Sequence, residues 1–332
     1  MKTITIITGC YNEEANIAEV YQRVRAAMAG LGRYRYEHIF IDNASKDNTV
    51  PILKRIAQRD RNVRIIVNAR NFGPIRSPMH ALHQASGDAV IGIVADLQDP
   101  PEMIPEMIRK WEEGTPVVIA VKRSSEENAL MFWLRKKYYR VMNRLANIDT
   151  YENFTGFGLY DRKVVEHLKQ LSDPYPYFRG LIAEIGFPHA ELLYDQPRRK
   201  RGVTKNNFYS LYDMAMLGIT SFSKVPLRFV ILFGFACALV CFLVALAYLV
   251  YKLLFWSNFS VGVAPLVIGI FFFASLQMIF MGLLGEYIGS IHTLVQNRPF
   301  VFELERVNFE FEPGEPLPDI DTAKGVDETR KG

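Results

Sequence analysis

A chain of 332 residues, 49% hydrophobic, is long enough to bury a full core, and a net charge of +4 gives no bulk reason to expect a nucleic-acid partner. Three cysteines, two of them (Cys237 and Cys241) inside an apolar stretch, make neither a disulfide framework nor a metal-ligand spacing, which fits a reducing environment.

The opening "MKTITIITGC" reads as a strand rather than a signal peptide, because its apolar run is short and alternates with threonine. Ile17, Val20, Tyr21, Val24, Met28 and Leu31 follow at helical spacing; "HIFID" predicts a second strand, leading to a helix that starts near Asp47. "VRIIV", "AVIGIV" and "PVVIAV" predict further strands. Strand and helix signals repeat to about residue 122, which predicts an open, mostly parallel sheet with helices on both faces.

Ligands of such sheets bind beyond the carboxyl ends of the strands. Four polar clusters fall there: "CYNEE" (Cys10 to Glu14), "DNASKDNT" (Asp42 to Thr49), "NARNFG" (Asn68 to Gly73) and "ADLQD" (Ala95 to Asp99). Turns favour Asn, Asp and Gly in any case, so one such loop means little. Four on one edge make a candidate site. With no G-x-G-x-x-G after the first strand and no G-x-x-x-x-G-K-[ST], dinucleotide and P-loop phosphate cradles are missing. Carboxylate-rich loops suit Mg2+ or Mn2+ held through one or two protein carboxylates, with substrate phosphates and water completing the shell. In "VADLQDPP", Asp99 ahead of the two prolines reads as the cap of the helix running through Trp111, Asp96 as the metal-binding acid, and Val94 as the last buried residue of its strand.

Farther on, Leu130 to Ile148 and "FYSLYDMAMLGITSF" read as interfacial amphipathic helices. "RRKRGVTK" (Arg198 to Lys205) packs five cations into eight residues. Phe229–Tyr251 and Val261–Leu284 carry no charge and are each long enough to cross a hydrocarbon core of about 30 Å. They predict a membrane hairpin joined by Lys252 to Ser260. Lys224 and Arg228 before it and His292 and Arg298 after it, against Lys252 alone in the link, put both ends on the cytoplasmic side. Glycines in the spans allow homo-oligomers. The expected organisation is a cytoplasmic domain over 1–204, a juxtamembrane segment over 205–225, the hairpin over 226–288, and a partly disordered cytoplasmic tail over 289–332.

"CYNEEANI", "IDNASKDNT", "ARNFG", "ADLQDPPEMI", "GFGLYDRKVV" and "RRKRGVTK", in that order and followed by two spans, resemble the membrane-anchored polyprenyl-phosphate glycosyltransferases. These form a family-2 group of GT-A, Rossmann-like fold that includes dolichol-phosphate mannose synthase and the bactoprenol glucosyltransferases. The resemblance covers the chain to about Arg306. It implies inverting transfer of a sugar from a UDP- or GDP-sugar to undecaprenyl or dolichyl phosphate, at the cytoplasmic face of a bacterial inner membrane. It also implies Tyr11, Glu13, Asp42 and Asp96 as nucleotide-binding residues, Asp96 and Gln98 as ligands of Mg2+ or Mn2+, and Arg198, Arg201 and Lys205 as phosphate and acceptor contacts. Asp96 and Arg201 would carry catalysis.

Several positions depart from the commoner pattern of that family. Gly9 stands where a proline is usual, Asn43 where a second aspartate is usual, and Val94 where the first acid of D-x-D is usual. Gly156-Phe157-Gly158 lacks the aspartate proposed in the family as catalytic base, with Glu152 and Asp161 flanking as groups that could orient an acceptor. A lipid phosphate with a second pKa near ~6 is already a dianion at neutral pH and needs no base. The rival readings are a processive polysaccharide synthase, whose Q-x-x-R-W motif and extra spans are not found here, and a non-catalytic membrane scaffold that retains the fold.

Overall fold

The structure is a computed structural model that describes residues 1–123, 151, 153–171, 173, 175–197, 216–217, 223, 225–254, 263–296 and 298–313. The chain forms two compact units. One comprises Met1–Lys136, Thr150–Lys205 and Asn297–Gly332, and the other Lys137–Asp149 and Asn206–Gln296.

The first unit is built on an eight-stranded sheet. Its strands are β1 (Lys2–Cys10), β2 (Tyr34–Asp42), β3 (Val63–Asn68), β4 (Ala89–Val94), β5 (Val117–Lys122), β6 (Phe154–Asp161), β7 (His189–Tyr194) and β8 (Glu303–Val307), in the order β7-β5-β6-β4-β1-β2-β3-β8. β4, β1, β2 and β3 run parallel, and only β6 and β8 run against the rest. The mostly parallel sheet expected from the sequence is therefore present. Its central strands are buried on both faces, which is why they read as unbroken apolar runs.

Helices cover both faces. Ile4 and Ile6 of β1 pack with Ile17, Val20, Val24 and Met28 of α1 (Ile17–Ala29), Leu53 of α2 (Thr49–Ala57), and Ile104, Met107 and Ile108 of α4 (Ile104–Glu112). The other face carries α3 (Gly73–Gln84), α5 (Arg162–Gln170) and α6 (Phe178–Ile185); a Cβ on Gly9 would meet Pro78 of α3 at 3.4 Å.

Of the segment read as a partly disordered tail, 289–332, residues 289–296 continue the last helix and residues 298–313 are ordered within this first unit. β8 pairs antiparallel with β3, and Asn308 Nδ2 donates to the carbonyls of Ala57 and Val63, both at 2.9 Å. Arg64, ion-paired to the buried Glu37, donates to the Phe311 carbonyl at 2.6 Å. The physical reason is the edge of β3, whose unpaired backbone groups need a partner. The alternation in "FVFELERV" supplies a strand for it.

The second unit holds α7 (Val225–Leu254, 30 residues) and α8 (Val263–Gln296, 34 residues), each long and apolar enough to cross a membrane. Both outrun the spans expected from charge alone, and α8 continues past Leu284 through Glu286 to Gln296. A helix does not stop where apolarity stops, since its backbone hydrogen bonds continue until a breaker, and here Pro299 follows. Tyr287 Oη donates to the Ser223 carbonyl at 2.7 Å within this unit. The basic run Arg198 to Lys205, the stretch Leu130 to Ile148, residues 208–222 apart from Met216 and Leu217, and Glu152 lie outside the described residues.

Candidate active site

Register brings the predicted clusters together. Cys10 lies opposite Asp42, Asp42 opposite Val67, and Gly9 opposite Val94, so the loops after β1, β2, β3 and β4 leave from one edge. The loops after β1 and β2 are laced to each other. Asn12 N donates to Ser45 Oγ and Lys46 N to Asn12 Oδ1, both at 2.8 Å. Glu13 N donates to Thr49 Oγ1 at 2.8 Å, and Glu14 Oε2 accepts from Asn48 N and Nδ2 at 2.9 and 2.8 Å. Asn12, with φ of 54°, takes the left-handed turn that this lacing requires, a conformation asparagine tolerates well.

Tyr11 and Glu13 are partly exposed on this edge. The Glu13 carboxylate accepts Asn16 Nδ2 at 2.8 Å, and its carbonyl accepts the Asn16 and Ile17 amides, so this residue also starts α1. Asp42 has no exposed surface. Its Oδ2 accepts Ser45 N at 2.8 Å and its Oδ1 accepts Ser45 Oγ at 2.5 Å and Cys10 Sγ at 3.7 Å. Burial pushes its carboxyl above the ordinary aspartate value. Asp42 thus shapes the loop from within. Burial, with Asp42 beside it, raises the Cys10 thiol well above its usual value and leaves it without nucleophilic character.

Next to it, Asn43 is a hub. Its Oδ1 accepts from Asn68 Nδ2 at 3.0 Å, from Phe72 N at 3.3 Å and from the buried Ser77 hydroxyl, while its Nδ2 donates to the Gly73 carbonyl at 3.3 Å. An aspartate could not make that last donation.

The β4 end corrects two expectations. Val94 is 45% exposed, because β4 ends level with Gly9 and its final side chain clears the helix layer. Asp99 is not a helix cap: the 3-10 turn Pro101–Met103 that precedes α4 begins at Pro100 without any side-chain cap. Asp99 folds inward, where Oδ2 accepts Val94 N at 3.2 Å and Oδ1 accepts the Tyr194 hydroxyl at 3.3 Å. Burial raises its carboxyl to about 7, against the pull of those hydrogen bonds and of Lys122. Between them Leu97, in the left-handed region at φ of 62°, drops its side chain into the core. This turn leaves Asp96 and Gln98 partly exposed at the edge, with Asp96 Oδ1 accepting Gln98 N at 3.1 Å.

Asp96 and Gln98 would offer a divalent cation one carboxylate and one amide oxygen, and no group of three or more His, Cys, Asp or Glu is clustered among the described residues. Such a set suits an ion that keeps water and takes substrate oxygens. In the stretch Gly156-Phe157-Gly158 the last two residues are committed to packing. Phe157 is core, edge-on to Tyr194 with centroids 5.6 Å apart, and Gly158 lies against β5, where a Cβ would be 2.5 Å from the Val118 carbonyl oxygen. Asp161 is at the opposite end of the sheet, opposite Ala89; it caps α5 through Lys163 N at 2.8 Å and accepts Trp111 Nε1 at 2.7 Å. Lys122 and Tyr194, at the carboxyl ends of β5 and β7, were missed in the sequence. Lys122 closes "PVVIAV" and could have been found as a strand end, but nothing local marks Tyr194.

The model of the family described as "Glycosyl transferase family 2" matches residues 5–169. A bactoprenol glucosyl transferase of Shigella phage SfII is 36% identical over 298 residues, spanning 89% of this chain and 96% of that one. A glycosyltransferase of Synechocystis, sll0501, is 34% identical over 315 residues, 95% of this chain and 98% of its own length. Among solved structures, glucosyl-3-phosphoglycerate synthase from Mycobacterium tuberculosis aligns with a TM-score of 0.45 and 20% identity, covering 66% of this chain and 76% of that chain.

Proposed function

Because the chain belongs to glycosyl transferase family 2, we propose that it transfers a sugar from a UDP- or GDP-sugar to a polyprenyl phosphate at the cytoplasmic face of a bacterial inner membrane. The observation that carries this reading is the extent of the likeness to a bactoprenol glucosyl transferase, which runs over nearly that protein's whole length and so takes in both the sheet and the apolar helices.

Tyr11 and Glu13 line the nucleotide side of the edge, with Asp42 and Asn43 holding their loop in shape. Asp96 and Gln98 would hold Mg2+ or Mn2+. When bound, the ion neutralises charge that builds on the diphosphate leaving group. The basic run contributes Arg198, Arg201 and Lys205 to the phosphates. The acceptor needs no base, since a phosphate dianion attacks the anomeric carbon directly, and the chain's task is to bring two anions together in line. One displacement of that kind inverts the anomeric centre. The two apolar helices anchor the domain where a prenyl chain is found.

The test is a panel of radiolabelled sugar nucleotides, offered with Mg2+ or Mn2+ to the purified chain in bilayers containing polyprenyl phosphate. Label should pass into the organic-extractable fraction and be released by mild acid. Label recovered only in water-soluble glycan would overturn the reading.

A further inference from the structure

On the flank of the same edge, away from β4, three arginines from three stretches of chain meet. Arg70 follows β3, Arg76 stands in the first turn of α3, and Arg298 lies two residues beyond the end of α8. The guanidinium carbons of Arg70 and Arg76 lie 4.0 and 5.3 Å from the centre of one ring, that of Phe72. Neutral carbonyls hold both: Arg76 Nη2 donates to Pro299 O at 2.6 Å and Arg70 Nη1 to Asn71 O at 3.2 Å.

Counter-charge is what this cluster lacks. Arg23, Arg64, Arg109, Arg162 and Arg306 each pair with a glutamate, whereas Arg70, Arg76 and Arg298 have no carboxylate partner among the described residues. Nε of Arg76 is buried with no acceptor at all. Burial first, then repulsion from Arg70 and Arg298, holds the Arg76 guanidinium below the ordinary arginine value. The first turn of α3 adds the positive end of a helix dipole, where a cation is unfavourable. An anion docked among them would relieve all of these costs together.

That anion is distinct from the donor's diphosphate. In the order β4-β1-β2-β3 the ends of β4 and β3 are three strand spacings apart, about 14 Å, so phosphates held at Asp96 do not reach Arg70. Arg298 follows by two residues a helix long and apolar enough to cross a membrane, which makes a lipid headgroup one source of such an anion. We propose that Arg70, Arg76 and Arg298 form a binding site for a phosphate group, presented by a lipid headgroup or by soluble phosphate.

The experiment uses the full chain and reads binding, so it does not depend on sugar transfer. In one arm, thermal midpoints are compared in nanodiscs of phosphatidylcholine with and without phosphatidylglycerol. In the other, detergent-solubilised protein is titrated calorimetrically with inorganic phosphate. Arg76→Gln removes the inner cation; Arg298→Gln, exposed and unbonded, removes an outer one without touching the Pro299 anchor. Arg35→Gln, exposed near the start of β2 at the opposite end of the sheet, is the control. A response in the first arm alone identifies the lipid as source, and in the second alone soluble phosphate. Either should weaken about tenfold or more in Arg298→Gln and remain unchanged in Arg35→Gln. No response to either probe, or equal weakening in Arg35→Gln, overturns the site.

Discussion

Asp99 accepts the backbone N–H of Val94 at 3.2 Å, which closes the end of β4 and the acidic loop into one turn with Asp96 on its rim. The two aspartates therefore have separable roles. Asp96→Asn should lower sugar transfer by about 100-fold or more and leave the thermal midpoint of the purified chain unchanged. Asp99→Ala strips the acceptor from both Val94 N and the Tyr194 hydroxyl and should cost about 1–3 kcal/mol of stability. Parallel transfer assays and thermal melts check both, and a destabilised Asp96→Asn protein would refute the division.

Asn43→Asp should destabilise the domain by about 1–3 kcal/mol, although aspartate is the commoner residue in the pattern that this loop resembles. The new carboxylate would be buried and would lose the donation to the Gly73 carbonyl, setting oxygen against oxygen. Loosening of the Asn68–Gly73 loop should appear as faster amide exchange at Phe72.

Gly158→Ala should cost about 1–3 kcal/mol or prevent accumulation of the folded chain, because its Cβ would stand 2.5 Å from the Val118 carbonyl oxygen and backbone would have to move. Gly92→Ala on the neighbouring β4 is the comparison. There the nearest atom, the Gly156 carbonyl oxygen, is 3.8 Å away, and the melt should shift far less.

His38 is wholly buried, bonded to Thr8 Oγ1 at 2.9 Å, and burial lowers its pKa to about 3. In the unfolded chain it takes up a proton near pH 6.5, whereas the native imidazole stays neutral. The unfolded state thus binds more protons between these values, and stability is lost as pH falls from about 6.5 towards 3. The loss from this group is on the order of 4 kcal/mol at the acid end. Denaturation curves of His38→Gln against pH should show a shallower acid limb than wild type; identical limbs would mean that other groups carry it.

Much of the fold was legible because β1 to β5 are buried on both faces, so each had to be an apolar run ended by turn residues. The convergence of four polar loops followed from parallel pairing alone. Val94 and Asp99 were misread together for one reason. Whether a side chain at a strand end faces core or solvent depends on where the neighbouring strand stops, and the inward turn through Leu97 leaves no mark in composition. β8 was missed because its alternating charges, "ELERV", look like a solvated tail until the open edge of β3 is known. Asn43 was seen only as standing where an aspartate is usual, whereas its extra donor is what Gly73 uses.

The pairing of β8 with β3 also dictates when the enzyme domain can mature. Asn68 and Glu303 share a ladder, yet between them the ribosome must make the rest of the sheet and both apolar helices. At roughly 5–20 residues per second, β3 waits on the order of 12–48 s for its partner. During that interval the nascent domain presents an unpaired strand edge, and Arg64 waits for the Phe311 carbonyl. Synthesis of both apolar helices must therefore precede completion of the sheet, so a chain stalled or truncated after α8 would be released with an open edge, prone to pair with another nascent copy.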